Sequence, residues 1–293
     1  IPELNRNELE TILNKSGKLS FSQAIQPDLF ALLQVPYFLQ LYLISIKKEK
    51  KNISSIDLMI SFINNIFLRN PQSKIELIHD FLETCEIKKG SMVVIKDHVR
   101  NRIKEKKQDY TELLDYGVIY EHREFGRYFP SQTQIRFTHQ ILQDFLIAFF
   151  WLQKHALDLK LFHKVYQSYD HPETRKNIIL WLIKFAFYEG DLKVLSGLFT
   201  FLADTIEKDH NIFNKEHYIY EIVNETGSLI RIHHEIRPQL LDMYDRDPHA
   251  RKFYFKRFVD IDFINVFFGD ALTKFIQYSE KTEDVIFGYN ILF

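Results

Sequence analysis

The hydrophobic period of this chain changes from helical to alternating at one place. Val118-Ile119-Tyr120-Glu121-His122-Arg123 alternates as a strand does, Phe125-Gly126-Arg127 offers a turn, and Ile135-Arg136-Phe137 reads as the returning strand. Elsewhere the apolar residues recur at helical spacing, so one small hairpin has to be placed among helices. Nine Gly and eight Pro against 27 Phe and 15 Tyr point the same way. Few chain-bending residues and many bulky rings suit packed helices better than a Gly-punctuated β or α/β nucleotide fold.

The helices can be read in order. Asn7 to Asn14 carries Leu9, Ile12 and Leu13 on one side, and Ser16-Gly17-Lys18 ends it. Gln26-Pro27-Asp28 opens a helix from Leu29 to Gln34, Val35-Pro36 interrupts, and Tyr37 to Ile46 continues apolar. The uncharged run from Leu29 to Ile46 approaches the length of a membrane span, but Pro36, with Gln34 and Gln40, divides it into two short buried pieces. No membrane segment is expected. Ser54-Ser55-Ile56-Asp57 has helix-capping chemistry ahead of Leu58 and Phe62, and Asn70-Pro71 breaks the chain. Ile75 to Cys85 is amphipathic, with Leu77, Ile78, Phe81 and Leu82 inward. Val93 to Lys107 reads as a basic helix, and Tyr110 to Tyr116 as a short one stopped by Gly117. A strongly apolar helix runs from His139 to Lys154. Three helices, a hairpin and a helix form the order of a winged-helix domain with a helix behind it.

After His155 only helices are expected. Asp170-His171-Pro172 marks a start with Gly190 past the end, and Asp247-Pro248 repeats the signal before Ala250 to Asp260. No strict repeat motif accompanies the spacing, so a superhelical arm and a bundle both fit. The expected fold is mainly α, in three parts. Residues 1–70 form a helical domain, 71–155 a winged-helix domain with a small β-hairpin, and 156–293 an α-helical arm.

The chemistry is bounded by absences in the sequence. The one Gly-Lys pair, Gly17-Lys18, is followed by Leu19 and preceded by Ile12 where a phosphate loop needs its first glycine, and there is no G-x-G-x-x-G. The chain is therefore expected neither to bind ATP tightly nor to hydrolyse it, and no catalytic residue is assigned. Cys85 alone excludes an internal disulfide and a cysteine zinc cluster, and suits a reducing cytoplasm. His217, His233, His234 and His249 match no metal-ligand spacing and read as solvated histidines, so no metal is expected. A net charge of −1 gives no general attraction to nucleic acid or membrane. Eight Lys/Arg between Lys88 and Lys107, against Asp97 and Glu105, read as a solvated helix face.

One segment carries more. Phe137-Thr138-His139-Gln140-Ile141-Leu142-Gln143-Asp144-Phe145-Leu146-Ile147-Ala148 resembles the winged-helix signature of NACHT-type STAND regulatory ATPases: a strand ending Phe-x-His, then a Gln-Glu/Asp-Phe-x-x-Ala helix. Asp144 stands for the commoner Glu, and Ile147 for a small residue. Leu32-Leu33-Gln34-Val35-Pro36-Tyr37-Phe38-Leu39 is similar to the family's Leu-x-x-x-Pro-Leu-x-Leu segment, with Tyr37 in place of a Leu. Ile1 to Leu13 resembles the link that follows the ATPase core. The resemblance covers about the first half of the chain. It implies that His139 reaches the β-phosphate of ADP and that Pro36 packs on the adenine. A ring N–H can donate to phosphate, more strongly when charged, and a helix N-terminus favours the anion. Gln143 and Asp144, one turn into the helix, also admit a plain role in complementing its dipole.

The Phe-, Ile- and Lys-rich composition suits a bacterium, and with the resemblance the expected setting is cytoplasmic defence signalling. ADP or ATP would be held by the parent protein and not tightly by this piece, whose partners would be an upstream ATPase core and a protein ligand on the arm, with oligomerisation on activation. A start without initiator Met and an apolar end at Val285–Phe293 fit a piece of a longer protein. DNA is not an expected partner. Two alternatives stay open: a DNA-binding winged-helix regulator with a helical effector domain, and a helical scaffold for protein partners.

Overall fold

The computed structural model describes residues 3–16, 27–45, 53–66, 71–88, 91–124, 132–169, 171–189 and Val194. The chain divides into two compact units, Ile1–Gln143 and Asp144–Phe293. The described residues are mainly helical, with a small antiparallel sheet.

The first unit opens with α1 (Arg6–Lys15), held by a reciprocal cap. The Asn5 side chain accepts from the Glu8 amide at 3.0 Å, and the Glu8 carboxylate accepts from the Asn5 amide at 2.8 Å. Leu9 and Leu13 are buried on its inner face. Ahead of α1, the Leu4 amide donates to the Gln34 carbonyl at 2.7 Å, and the Gln34 side chain returns a bond to the Leu4 carbonyl at 3.3 Å. Gln34 lies in the turn between α2 (Pro27–Leu33) and α3 (Pro36–Ser45). Pro36 takes the first helical position of α3, where a missing N–H would be unpaired in any case. The long uncharged run is thus two short helices. Among the described residues no helix is long and apolar enough to cross a membrane. α4 (Ser55–Ile66) begins behind Ser54, whose hydroxyl accepts from the Asp57 amide at 3.2 Å while Asp57 accepts from the Ser54 amide at 3.0 Å. α2, α3 and α4 pack on one another, and Leu33, Phe38, Tyr42, Leu58 and Phe62 are buried.

The same unit continues with α5 (Pro71–Thr84), β1 (Glu86–Lys88), β2 (Ser91–Ile95), α6 (Arg100–Glu105), α7 (Lys107–Asp115), β3 (Ile119–Glu124) and β4 (Gln132–Phe137). All strand pairs are antiparallel, in the order β1-β2-β4-β3. The expected hairpin is present, with Ile119 opposite Phe137 and Glu121 opposite Ile135. The basic helix expected over 93–107 is not. Val94 pairs with Ile135, and Met92, Val93 and Val94 are buried in a strand. Four consecutive apolar residues, Met92 to Ile95, suit an interior strand covered on both faces, and periodicity alone cannot tell such a run from a buried helix. Only α6 keeps the basic face, with Arg100, Arg102 and Lys104 exposed. α7 closes in the manner expected at Gly117, which lies at φ 65°. The Val118 amide reaches the Leu113 carbonyl and the Gly117 amide the Leu114 carbonyl, both at 2.9 Å, the paired bonds of a Schellman turn.

α8 (Gln140–Lys154) begins in the first unit and runs into the second. In the first, the Gln143 side chain, 1% exposed, accepts from the Met92 amide at 2.8 Å and pins α8 to β2. In the second, Asp144 accepts from the Asn177 side chain at 2.9 Å. It lies beyond the first turn, so its role is a buried cross-helix bond and not complementation of the helix dipole. The Phe145 ring centroid lies 5.1 Å from Trp181 and 5.8 Å from Phe185. α9 (Leu159–Ser168) starts behind Asp158, which accepts from the Leu161 amide at 2.9 Å. α10 (Pro172–Glu189) has Pro172 first, as expected, and packs on α9. Phe125-Gly126-Arg127, Gly190, Asp247-Pro248, residues 250–260 and the four histidines from His217 to His249 lie outside the described residues.

Gly117→Ala tests the turn that ends α7. The added Cβ meets Tyr37 Cε2 at 3.6 Å, an ordinary contact, so the penalty comes from the positive φ. A loss of about 1–2 kcal/mol in urea unfolding is expected.

Candidate functional site

The hairpin delivers a histidine to a defined place. β4 ends at Phe137, and the Thr138 amide donates to the Val118 carbonyl at 3.1 Å, closing the base of the hairpin. His139 comes next, and its carbonyl accepts from the Gln143 amide at 3.0 Å as α8 begins. The first turn of α8 contains no acidic residue that would repel an anion. The His139 ring does not stand free. It lies 4.7 Å from the Tyr37 ring at 34° and 5.4 Å from the Phe38 ring at 48°, and the residue is half-buried. Burial holds its pKa below the usual imidazole value and favours the neutral ring. Neither ring nitrogen is hydrogen-bonded among the described residues.

The second candidate, Pro36, reaches the same neighbourhood through the two residues after it. Tyr37 and Phe38, in the first turn of α3, are the two rings against His139. The Tyr37 hydroxyl donates to the Tyr116 carbonyl, at the C-terminus of α7, over 3.4 Å. Burial pushes the Tyr37 phenol well above its usual pKa and keeps it a neutral donor. α3, the end of α7 and the β4–α8 junction therefore meet at one side chain. In the sequence Tyr37 is a departure from a Leu pattern. Its signal is the placement of a ring directly after Pro36, which gains meaning only once His139 lies beside it.

Other polar clusters are knitted within themselves. The Glu121 carboxylate accepts from Lys96 and from Tyr110, both at 2.6 Å, and joins β2, β3 and α7. Burial works to raise its pKa, but these two donors outweigh it and hold the carboxyl low. A cleft of about 420 Å³ between α5 and α7 is lined by Ser73, Lys74, Lys106 and Asp109 among others. There Lys74, 1% exposed, pairs with Glu112 at 2.5 Å, Ser73 donates to Asp109 at 2.5 Å, and Lys106 pairs with Glu76 at 2.6 Å. Each of these groups answers its neighbour, which reads as a strut between helices. Sequence spacing could not place these carboxylates in a cleft, because their cations arrive from another element. Burial pushes the Cys85 thiol up to about 11, away from thiolate chemistry. No metal-binding group of His, Cys, Asp and Glu occurs among the described residues.

Comparison with protein-family models, with curated proteins and with solved structures returned no match.

The depressed His139 pKa has a consequence for stability. The unfolded chain binds a proton at His139 more readily than the folded chain, so protonation opposes folding. This contribution is complete above the ordinary imidazole value of about 6.5 and diminishes as pH falls below it. Between about pH 7 and about pH 5, the urea midpoint of the wild type is expected to fall further than that of His139→Gln. Equal falls would show that the ring titrates alike in both states.

Proposed function

We propose that this chain is the sensing part of a NACHT-type STAND regulatory ATPase. Residues 1–70 and 71–155 close over ADP held by an upstream ATPase core, and residues 156–293 form an arm that senses a protein partner. One observation carries the reading: the helix that starts at Pro36 and the junction that bears His139 meet through Tyr37 and Phe38. These are the two segments on which the resemblance rests, and they lie far apart in sequence.

Residues 71–155 support the winged-helix part of the reading. Their order is helix, two strands, two helices joined by a tight turn, and a hairpin whose returning strand β4 lies between β2 and its own partner β3. The rival in which such a domain reads DNA is less well supported. α7 comes after the tight turn and would be the helix laid in the major groove, yet it carries Asp109, Glu112 and Asp115 against Lys107.

The proposed mechanism is electrostatic. In the resting state His139 would donate a ring N–H to a nucleotide phosphate, and the N-terminal amides of α8 would favour that anion. Burial disfavours the imidazolium, and a phosphate beside it restores the charged form, so binding and protonation reinforce each other. A charge-assisted bond of this kind contributes about 1.5–3 kcal/mol. That is enough to bias a two-state equilibrium between closed and open forms by a factor of roughly 10–100. A ligand that binds the arm better in the open form shifts the balance the other way and exposes surfaces for oligomerisation. The chain itself supplies no phosphate loop and hydrolyses nothing alone.

The test uses the parent protein with its ATPase core. His139→Leu is expected to shorten ADP retention about tenfold or more and to raise basal activation. Unchanged retention together with unchanged basal activity would remove His139 from the mechanism.

A further inference from the structure

The His139 imidazole stands between a strand end and a helix start, and its two ring neighbours both come from α3. Of these, Phe38 is fully buried and packs edge-on against Tyr37, 5.3 Å away at 78°. Tyr37 is closer to the imidazole, more nearly parallel to it, and tethered at its far end. Its hydroxyl meets the Tyr116 carbonyl, directly before the positive-φ Gly117, and its Cε2 lies 3.6 Å from where a Gly117 Cβ would be. The phenol is thus held at its far end by one hydrogen bond to the main chain. The imidazole, packed against that ring at a tilt, inherits its placement.

We propose that Tyr37 is the positioning residue for His139. Its ring selects the imidazole orientation, and its bond to the Tyr116 carbonyl fixes the ring. Tyr37 thereby ties the orientation of His139 to the seating of α3 on the end of α7. Whatever separates α3 from that turn releases the imidazole before it disturbs the hairpin, because the hairpin is closed by its own bond from Thr138 to Val118. The assignment of the phosphate as the group His139 addresses rests on the function proposed above; the positioning of the ring does not.

Two measurements separate the two claims. In this chain, nuclear Overhauser contacts between the Tyr37 and His139 ring protons are expected, with the His139 ring protons shifted upfield by the adjacent phenol. Tyr37→Phe keeps the ring contact but loses the bond to the Tyr116 carbonyl and reduces the upfield shift, an undiminished shift overturning the role of that bond; Tyr37→Leu abolishes the shift and averages the His139 signals over several rotamers. Absence of the contact in the wild type, or an unchanged His139 spectrum in Tyr37→Leu, overturns the proposal. The wild-type contact needs no variant to fold. In the parent protein, Tyr37→Leu is expected to shorten ADP retention as much as His139→Leu, with the double variant no worse than either, as for groups acting in series. Retention lost in His139→Leu but kept in Tyr37→Leu overturns the positioning role. Retention kept in both, with the ring contact present, counts against the phosphate reading and leaves the positioning of the ring established.

Discussion

The first unit depends on β4 being hydrogen-bonded along both edges. β2 lies on one side and β3 on the other, and a strand held on both sides cannot shift register without breaking two ladders. Ile135 and Phe137 alternate inward from it, and Ile135 lies between Val94 and Glu121 of the flanking strands. The end of β4 is therefore a fixed point. Thr138 and His139, the next two residues of the chain, are located by main-chain geometry before any side chain is considered. A half-buried imidazole on a loop would wander. Here it leaves a strand and enters a helix within two residues.

Much of this was legible from residues taken locally. The hairpin comes from alternation at Val118–Arg123, the start of α3 from Pro36, and the end of α7 from Gly117, because each signal is carried by backbone chemistry within a few residues. The strand β2 was not legible. Met92-Val93-Val94-Ile95 has no period, and the basic residues after it pull a helical reading across it. Only the partner strand β4, about forty residues on, resolves the ambiguity. The same holds for Tyr37, whose meaning depends on Tyr116 and His139, and for Lys74, buried against a carboxylate from another helix. Non-local pairing was the missing information in each case.

Within the second unit, polar groups set direction where rings provide adhesion. α10 is apolar around most of its girth, with Ile178, Ile179, Trp181, Ile183 and Phe187 all buried. Such a helix could rotate against its neighbours at little loss of contact. The bond from Asn177 to Asp144 resists that rotation, because a buried carboxylate left without its donor is far less favourable than a misplaced methyl group. Lys176, 6% exposed, reaches back to Glu173 at 2.6 Å and keeps its charge answered at the margin of the same helix.

The two bonds between Leu4 and Gln34 turn the leading segment of the chain into a short bridle. A pull along that segment is not absorbed by slack, since the next residues enter the capped α1, and it arrives at the turn from which α3 departs. Each bond contributes about 1 kcal/mol, and while both hold, Leu33 and Phe38 keep their buried seats on either side of the turn. Tension applied ahead of Leu4 would thus be delivered to the threshold of Pro36 as a small, reversible tilt, well short of unfolding.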